Sequence, residues 1–308
     1  MSDALIKIST IITTYNSEAS IQRVLDSIKN QEGNHHLFEI EYLIIDDCST
    51  DNTINIINSN QLEYISTGTN SGGPNKGRNI GLKKATGDYI CIVDHDDEWH
   101  RNKLKSMLPY FDHSLIISSG FTTYDAESGK TTVKVNQSHD NKPYVVFDAN
   151  VTFMDILTRS LKGQNRYLGS MIYSSKLKHV LFEEVYGMID FDWGLRLFHN
   201  QTSIEVCDSL YTRHLSKSNL SFNEQYRLND FTYSVNYVME YKKQYPAEVA
   251  LSIKKMNGSL ARYYYFTNHM KKARRYFLKS DFSLKTVFYY LTTFVGSNFV
   301  KRKFNVFG

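Results

Sequence analysis

Three apolar runs in the first hundred residues each end in a polar cluster, and stretches with a different period separate them. Lys7–Thr14 (KISTIITT) is rich in β-branched residues, reads as a buried strand, and runs into Tyr15-Asn16. Ile40–Ile45 is a second such strand and ends in Asp46-Asp47. Tyr89–Val93 is a later one and runs directly into Asp94-His95-Asp96-Asp97. Between the first two, Ile21, Val24, Leu25 and Ile28 fall at i, i+3, i+4 and i+7 and predict a helix, with Ser17 as its cap. Thr50–Asn58 predicts a short helix capped by Ser49, Leu62–Ser66 a third strand, and Lys76–Ala85 a helix after the break at Gly72-Gly73-Pro74. Strands separated by helices imply a mostly parallel sheet with right-handed crossovers, and such sheets bind ligands at the carboxyl ends of their strands. One acidic strand end is commonplace; three polar ends on one sheet edge define a candidate site.

With 41% hydrophobic and 22% charged residues the chain is an ordinary globular one, long enough for a large domain with an appendage. Cys48, Cys91 and Cys207 are far apart and odd in number, which favours a reducing compartment over a disulfide or zinc framework. The opening MSDALIKIST lacks a basic region followed by an apolar run, so no secretory signal is expected. Thr286–Val300 is uncharged but shorter than the roughly 20 apolar residues a membrane span needs. A cytoplasmic protein follows as the expectation. The net charge of +4 conceals a split: residues 1–208 carry 19 Lys+Arg against 27 Asp+Glu, and residues 209–308 carry 17 against 5. An acidic catalytic part and a basic region that meets something anionic are one reading of that split; a solvated basic helical face is the other.

Residues 114–185 show mixed patterning, and the chain from about Asn223 onward is helical, with no internal repeat. Each polar cluster has a chemical reading and a bland one. Asp94 and Asp96 can hold a divalent cation, Mg²⁺ or Mn²⁺, on hard oxygen ligands, and the cation can bind a diphosphate; the alternative is a solvated loop. Asp46 or Asp47 can accept from a base N–H or a ribose hydroxyl, or cap the Thr50 helix. The tract Gly72-Gly73-Pro74-Asn75-Lys76-Gly77-Arg78-Asn79 brings backbone and a cation close to a ligand, yet has neither Walker nor dinucleotide-fingerprint spacing.

Taken in order, these motifs resemble those of the family 2 glycosyltransferases with a GT-A fold. They are Thr13-Thr14-Tyr15-Asn16, Asp46 through Thr53, Asn70 through Gly81, and Ala85 through Trp99, and the resemblance spans roughly residues 6–222. It implies an α/β fold with a GT-A nucleotide-sugar-binding domain over residues 1–222 and a basic helical region over 223–308. It implies an inverting, metal-dependent transfer of one sugar from a nucleotide sugar, UDP being the expected nucleotide. The acceptor would be a hydroxyl of a glycan or lipid-linked molecule in cell-surface polysaccharide synthesis. By the same resemblance Thr13, Tyr15, Asp46, Asp47, Asn70, Arg78 and Asp94 bind the donor nucleotide, and Asp96 with Asp94 holds the metal. Tyr211-Thr212-Arg213-His214 with Ser218–Ser221 resembles the closing basic element, in which Arg213 and His214 hold the diphosphate. In the segment Tyr186–Trp193, Asp190 matches the general base, with Asp192 and Trp193 on the acceptor side. Ile189 stands where a Glu often precedes that Asp, and Thr13 where a Pro is usual. No Gln-x-x-Arg-Trp signature of processive members is present. A sugar nucleotidyltransferase is the second enzyme reading, although its N-terminal glycine-rich basic loop is missing. A catalytically degenerate nucleotide-sugar binder is the third.

Toward the C-terminus, Leu284, Val287, Phe288, Leu291, Phe294 and Val295 follow helical spacing within Ser283–Phe304, between Lys285 and Lys301-Arg302-Lys303. Such a helix fits the headgroup layer of an anionic membrane, which would make the protein peripheral on the inner face of the cell membrane. The alternative is a stripe packed on its own domain or on a second subunit of a homo-oligomer. No nucleic-acid partner is expected.

Overall fold

A computed structural model describes residues 5–138, 140–160, 162–215 and 223–298. The chain divides into two units: residues 1–153 with 162–217, and residues 154–161 with 218–308.

The first unit opens with the alternation that the periodicities predict. Strand β1 (Ile6–Thr14), helix α1 (Ile21–Lys29), strand β2 (Phe38–Asp46), helix α2 (Thr53–Ser59), strand β3 (Tyr64–Ser66), helix α3 (Asn75–Lys84) and strand β4 (Tyr89–Asp94) follow in order. Then come β5 (Asp97–Trp99), α4 (Lys103–Met107), β6 (Ile116–Asp125), β7 (Lys130–Lys134), β8 (Tyr144–Phe147), α5 (Val151–Leu157), β9 (Ile172–Ser174), α6 (Phe191–Phe198) and β10 (Ser203–Leu215). The strands form one sheet in the order β3-β2-β1-β4-β9-β6-β10-β5, with β7 beside β6 and β8 beside β10. Strands β3, β2, β1 and β4 are mutually parallel, and β6 is parallel to β10. β9 runs antiparallel between β4 and β6, so the two parallel groups point the same way. The ends of β1, β2, β4 and β10 therefore share one edge. Thr13 pairs with Asp94, Thr14 with Asp46, and, across the antiparallel β10–β5 pair, Arg213 with Asp97.

Burial on both faces explains the apolar runs. Seven consecutive residues of β1 are buried, and α1 buries Ile21, Val24, Leu25 and Ile28 on one side. The caps differ from expectation. Helix α1 begins at Ile21 after Ser20; Ser17 contributes its carbonyl, which accepts from the Ser20 and Ile21 amides, while its hydroxyl bonds Tyr15. Helix α2 begins at Thr53, where Asp51 rather than Ser49 accepts from the first helical amide at 3.0 Å. Helix α1 starts where its apolar period starts, at Ile21, three residues beyond the position a Ser17 cap implies, and α2 starts three residues after Thr50, because Asn16 and Ser49 are bonded to each other across the strand ends and hold those segments as turns.

In the second unit, α7 (Glu224–Val238), α8 (Pro246–Phe266), α9 (Met270–Phe277) and α10 (Leu284–Thr292) pack around Leu260, Ala261, Tyr264, Tyr265, Ala273, Phe277 and Tyr289. The short segment 154–161, which includes the end of α5, groups with the later residues. Ser218–Ser221 and Lys301-Arg302-Lys303 lie outside the described residues.

Helix α3 lies on β1 and β2 at a distance set by glycine. A methyl at Gly81 would collide with Cγ2 of Ile11 and stand 3.1 Å from Cδ1 of Ile45. Replacing Gly by Ala inside a helix ordinarily adds about 1 kcal/mol of stability, but overpacking a strand-held, β-branched side chain costs about 1–3 kcal/mol. Gly81→Ala is therefore expected to lower the urea midpoint; a raised midpoint would show that Ile11 can give way.

Candidate active site

The polar edge is built from the strand ends upward. After β1 the chain turns at Asn16, whose φ of 46° is a left-handed conformation that Asn tolerates. Its side chain accepts from the Thr50 amide at 2.8 Å. After β2 it turns at Cys48, with φ 66°. That costlier conformation is held by Asp46, whose carboxylate accepts from the Ser49 amide at 2.9 Å, the Ser49 hydroxyl at 2.5 Å and the Thr14 hydroxyl at 3.0 Å.

This corrects one donor-site expectation: Asp46 is buried and both its oxygens are engaged by protein, so it builds the turn and has no free face for a nucleotide. Nor does either Asp cap α2. Asp47 accepts from the Thr67 hydroxyl at 2.7 Å and the Ser71 amide at 2.9 Å, and so carries the 67–71 loop. Asn70 closes that loop by accepting from the Gly72 amide. Thr13 is buried, its methyl so near α3 that a Cβ at Gly77 would stand 3.0 Å from it; packing rather than ligand contact explains this residue. Tyr15 is exposed at the edge.

Arg78 is the centre of the site. It is buried in α3, donates from Nη2 to Asp94 Oδ1 at 2.7 Å and from Nη1 to Asn75 Oδ1 at 3.0 Å, and lies 5.1 Å from the centroid of the Phe182 ring. Burial works to raise the Asp94 pKa, but the Arg78 ion pair outweighs it and holds this carboxyl below the usual range. Asp96 goes the other way: burial, reinforced by the charge of Asp94, raises it despite His95. The main chain here is fixed from below by α1, since Ser20 donates to the His95 carbonyl at 2.7 Å and Arg23 to the Asp96 carbonyl at 3.3 Å. Asp97 is buried in the space that Gly169 leaves by lacking a side chain.

Arg213 and His214 arrive on β10. Arg213 lies 4.9 Å from the exposed ring of Tyr167 and contributes to lowering Asp94. The Nε2 of His214 is 3.0 Å from Glu98, and the ring stands edge-on to Tyr124. The diphosphate contact expected of His214 therefore needs the Glu98 bond to open.

Asp190 is exposed at the N-terminal boundary of α6, without capping that helix through its side chain. The segment leading to it is clamped onto α3. The Asn75 amide donates to the Gly187 carbonyl at 2.9 Å, and the Asn75 side chain donates to the carbonyls of Glu183 and Ile189 at 2.9 and 2.8 Å. Asn79 brackets Phe182 by accepting from its amide and donating to its carbonyl. Glu183 is buried and accepts from the Tyr186 and Ile189 amides. A Cβ at Gly73 would collide with the Gly187 carbonyl, so glycine is required for this approach. Sequence reasoning singled out the tract that holds Asn75 and Asn79 but not their clamping role, and it missed Glu183 and Tyr167, which no local pattern marks.

The acceptor-side expectation for Asp192 and Trp193 is corrected. Asp192 is buried and paired with Arg196 at 2.6 Å. Trp193 is buried, stacks on Phe182 at 4.5 Å and donates to the Val180 carbonyl at 2.9 Å. Trp193 rivets α6 to the 180–182 segment directly, and Asp192 orients Arg196, which donates to the Leu181 carbonyl at 2.7 Å. Ile189 is likewise buried, so the position of the missing Glu is a core position here.

A mixed sheet whose first four strands run parallel, with an acidic strand end, a basic closing strand and an exposed carboxylate on a clamped loop, is the GT-A arrangement of a sugar-nucleotide enzyme. The comparisons agree. Residues 9–198 match glycosyl transferase family 2, and the chain belongs to that family. The poly(ribitol-phosphate) β-N-acetylglucosaminyltransferase TarS of Staphylococcus aureus is 39% identical over 112 residues, which is 35% of this chain and 19% of the relative. A GalNAc(5)-diNAcBac-PP-undecaprenol β-1,3-glucosyltransferase of Campylobacter jejuni is 25% identical over 174 residues, 52% of this chain and 54% of the relative. The chain thus spans about half or less of the length of these relatives. The crystal structure of S. aureus TarS 1–349 in complex with UDP-GlcNAc superposes with a TM-score of 0.58 at 21% identity, covering 97% of this chain and 92% of that one. That likeness carries the fold, and family membership makes the chain a glycosyltransferase.

Beneath the acidic loop lies a buried cation. Lys103 is fully buried, with its ammonium 5.2 and 5.8 Å from the rings of Trp99 and Tyr211. Burial pushes it down to about 8, against opposing help from Cys91 and Asp97. A lysine lowered on folding binds fewer protons in the native than in the unfolded state. Its charged form therefore costs stability at neutral pH, and that cost disappears as pH rises from about 8 through 10.5. Lys103→Met is expected to be more stable than wild type at pH 7, with the gap in urea-unfolding free energy closing by up to ~1.4 kcal/mol per pH unit across that window. A gap independent of pH would refute the assignment.

Proposed function

We propose that this glycosyltransferase moves one sugar from a UDP-sugar to a hydroxyl of a glycan or lipid-linked acceptor in cell-surface polysaccharide synthesis. It inverts the anomeric centre, depends on a divalent cation and works at the inner face of the cell membrane. The observation that carries this reading is that one helix, α3, binds both halves of the chemistry: Arg78 pairs with Asp94 on the donor side, and Asn75 holds the segment that ends in Asp190. The substrate class is supported by relatives named for poly(ribitol-phosphate) and undecaprenol-linked acceptors, and the nucleotide by TarS structures with UDP and UDP-GlcNAc.

In this reading the exposed ring of Tyr15 and the loop held by Asp47 and Asn70 receive the uracil, and Asp94 meets the ribose. Asp190 accepts the proton of the acceptor hydroxyl as its oxygen attacks the anomeric carbon from the face opposite the nucleotide. The bond from that carbon to the diphosphate oxygen breaks, and UDP departs. Arg213 answers the charge that develops on the diphosphate, joined by His214 once its bond to Glu98 opens.

The donor set suits a hard cation. Among the described residues no three His, Cys, Asp or Glu side chains are grouped to hold a metal ion. The carboxylates of Asp94 and Asp96 nevertheless match Mg²⁺ or Mn²⁺, which needs only one or two when diphosphate oxygens complete the shell. Asp96, with Asp94 beside it, would hold the ion, and a bound cation supplies Lewis-acid charge to the departing diphosphate.

Asp190→Asn is expected to lower turnover by about 10²–10⁴-fold while leaving UDP affinity unchanged, measured by transfer kinetics and UDP titration. Asp192→Asn should instead lower the melting temperature, since it breaks a buried pair. A crippled turnover with normal stability for Asp192→Asn, beside a mild Asp190→Asn, would reassign the base.

Asp96→Asn should abolish cation-stimulated hydrolysis of the UDP-sugar. Wild-type hydrolysis that persists in excess chelator would overturn the metal dependence. Absence of any hydrolysis or transfer, with UDP-sugar still bound, would identify a binding protein.

A further inference from the structure

Helix α10 is amphipathic in the inverted sense. Its inward face is Thr286, Tyr289 and Thr292. Tyr289 stacks on Phe277 with ring centroids 6.0 Å apart, and the Thr292 hydroxyl accepts from Tyr265 at 2.9 Å and donates to the Phe288 carbonyl. The apolar residues point outward. Leu284 is 92% exposed, Leu291 61%, Phe294 66% and Val295 71%, and Phe282 just before the helix is 74% exposed. A water-facing helix ordinarily buries its apolar stripe; here aromatic and hydroxyl contacts to α8 and α9 hold it in the opposite sense. A contiguous patch of that kind marks an interaction surface.

Charge identifies the occupant. Residues 270–298 contain Lys271, Lys272, Arg274, Arg275, Lys279 and Lys285 against the single acid Asp281. Arg274 lies 4.7 Å from the ring of Phe294, Lys285 follows the exposed Leu284 on α10, and both Lys279 and Lys285 are exposed. A second copy of this chain would bring the same cations to the same face, and residues 209–308 carry 17 Lys+Arg against 5 Asp+Glu. Exposed Leu and Phe side chains on a cation-rich segment, with Arg274 against Phe294, match instead a bilayer interface with anionic headgroups, in which the apolar groups enter the acyl boundary and the cations stay at the phosphates.

We infer that the outward face of α10, with Phe282, Leu284, Leu291 and Phe294 as its apolar contacts, seats the protein on an anionic lipid surface. The inference rests on the proposed function only for its purpose, which is to bring the catalytic unit to acceptors presented at a membrane.

The test is co-flotation of the full chain with vesicles of neutral phosphatidylcholine, or of the same lipid with about one-third phosphatidylglycerol. The expected result is binding to the anionic vesicles that weakens with added salt, and little binding to the neutral ones. Leu284→Gln/Leu291→Gln/Phe294→Gln leaves the charge unchanged and alters only exposed side chains, so circular dichroism and UDP-sugar hydrolysis should match wild type. Its vesicle partition should fall by about tenfold or more, from the transfer free energy of the lost apolar contacts. Lys279→Gln/Lys285→Gln should reduce the salt-sensitive part alone. The inference is overturned if wild type ignores anionic vesicles, or if the triple variant binds them as wild type does. It is also overturned if wild type sediments as a dimer that the triple variant dissolves, because a second copy then covers the face. Failed sugar transfer with intact vesicle binding would count against the proposed reaction and leave this surface standing.

Discussion

The ion pair between Arg78 and Asp94 fixes the geometry on which the site depends. Arg78 is buried, so its charge must be answered from within the protein, and its guanidinium does so on three sides, with Asp94, Asn75 and the face of Phe182. Removing one partner of such a pair leaves an uncompensated buried charge, at a cost on the order of 3 kcal/mol. The pair therefore sets the register of α3 against the end of β4. Gly77 and Gly81 allow that register by letting the helix approach Thr13, Ile11 and Ile45 without a side chain between.

The acceptor side inherits its position from the same helix. Asn75 and Asn79 lie one turn apart on α3 and satisfy the main chain of residues 182–189, a segment without regular secondary structure of its own. A buried loop must find partners for its amides and carbonyls, and Glu183 supplies those that the asparagines do not. The exposed carboxylate of Asp190 thus stands at the end of a rigid segment. The acidic turn at residues 94–97 is held just as firmly, by Ser20 and Arg23 on its carbonyls and by the fit of Asp97 against Gly169. A site that must order a flexible diphosphate and a sugar gains from such prior ordering, since less freedom is lost when substrate arrives.

Much of this was legible in the chain before folding was considered. The period of β1, β2 and β4 and the spacing of Ile21, Val24, Leu25 and Ile28 gave the elements and their buried faces, because side-chain direction within a strand or helix follows from local geometry. The strand-end clusters marked the edge where ligands bind. The helix caps differ from the local signals because the Ser49 hydroxyl accepts from the Asn16 amide and the Asn16 side chain from the Thr50 amide, contacts that only the paired strand ends bring about, and Asp51 takes the Thr53 amide. The resemblance puts Asp46, Asp192 and Trp193 at the ligands by position in the motif; their burial is a property of what packs over them.

An α/β chain, its family, and the carboxylates and cations at strand ends could be read from the residues alone. Local period and residue type suffice for those, and they are properties of neighbours in the chain. The expectation of a mostly parallel sheet holds for β1 to β4 and the β6–β10 pair, while among the described residues five of the nine strand pairings are antiparallel. Only the tertiary structure decided that Arg213 faces Asp97 from a strand more than a hundred residues away, that His214 is bonded to Glu98, and that Glu183 supports the approach to Asp190. It also decided that α10 turns its apolar side outward. Helical spacing shows that Leu284, Leu291 and Phe294 share a face, but which face is covered depends on the contacts of Tyr289 with Phe277 and of Thr292 with Tyr265, made by residues that no local pattern brings together.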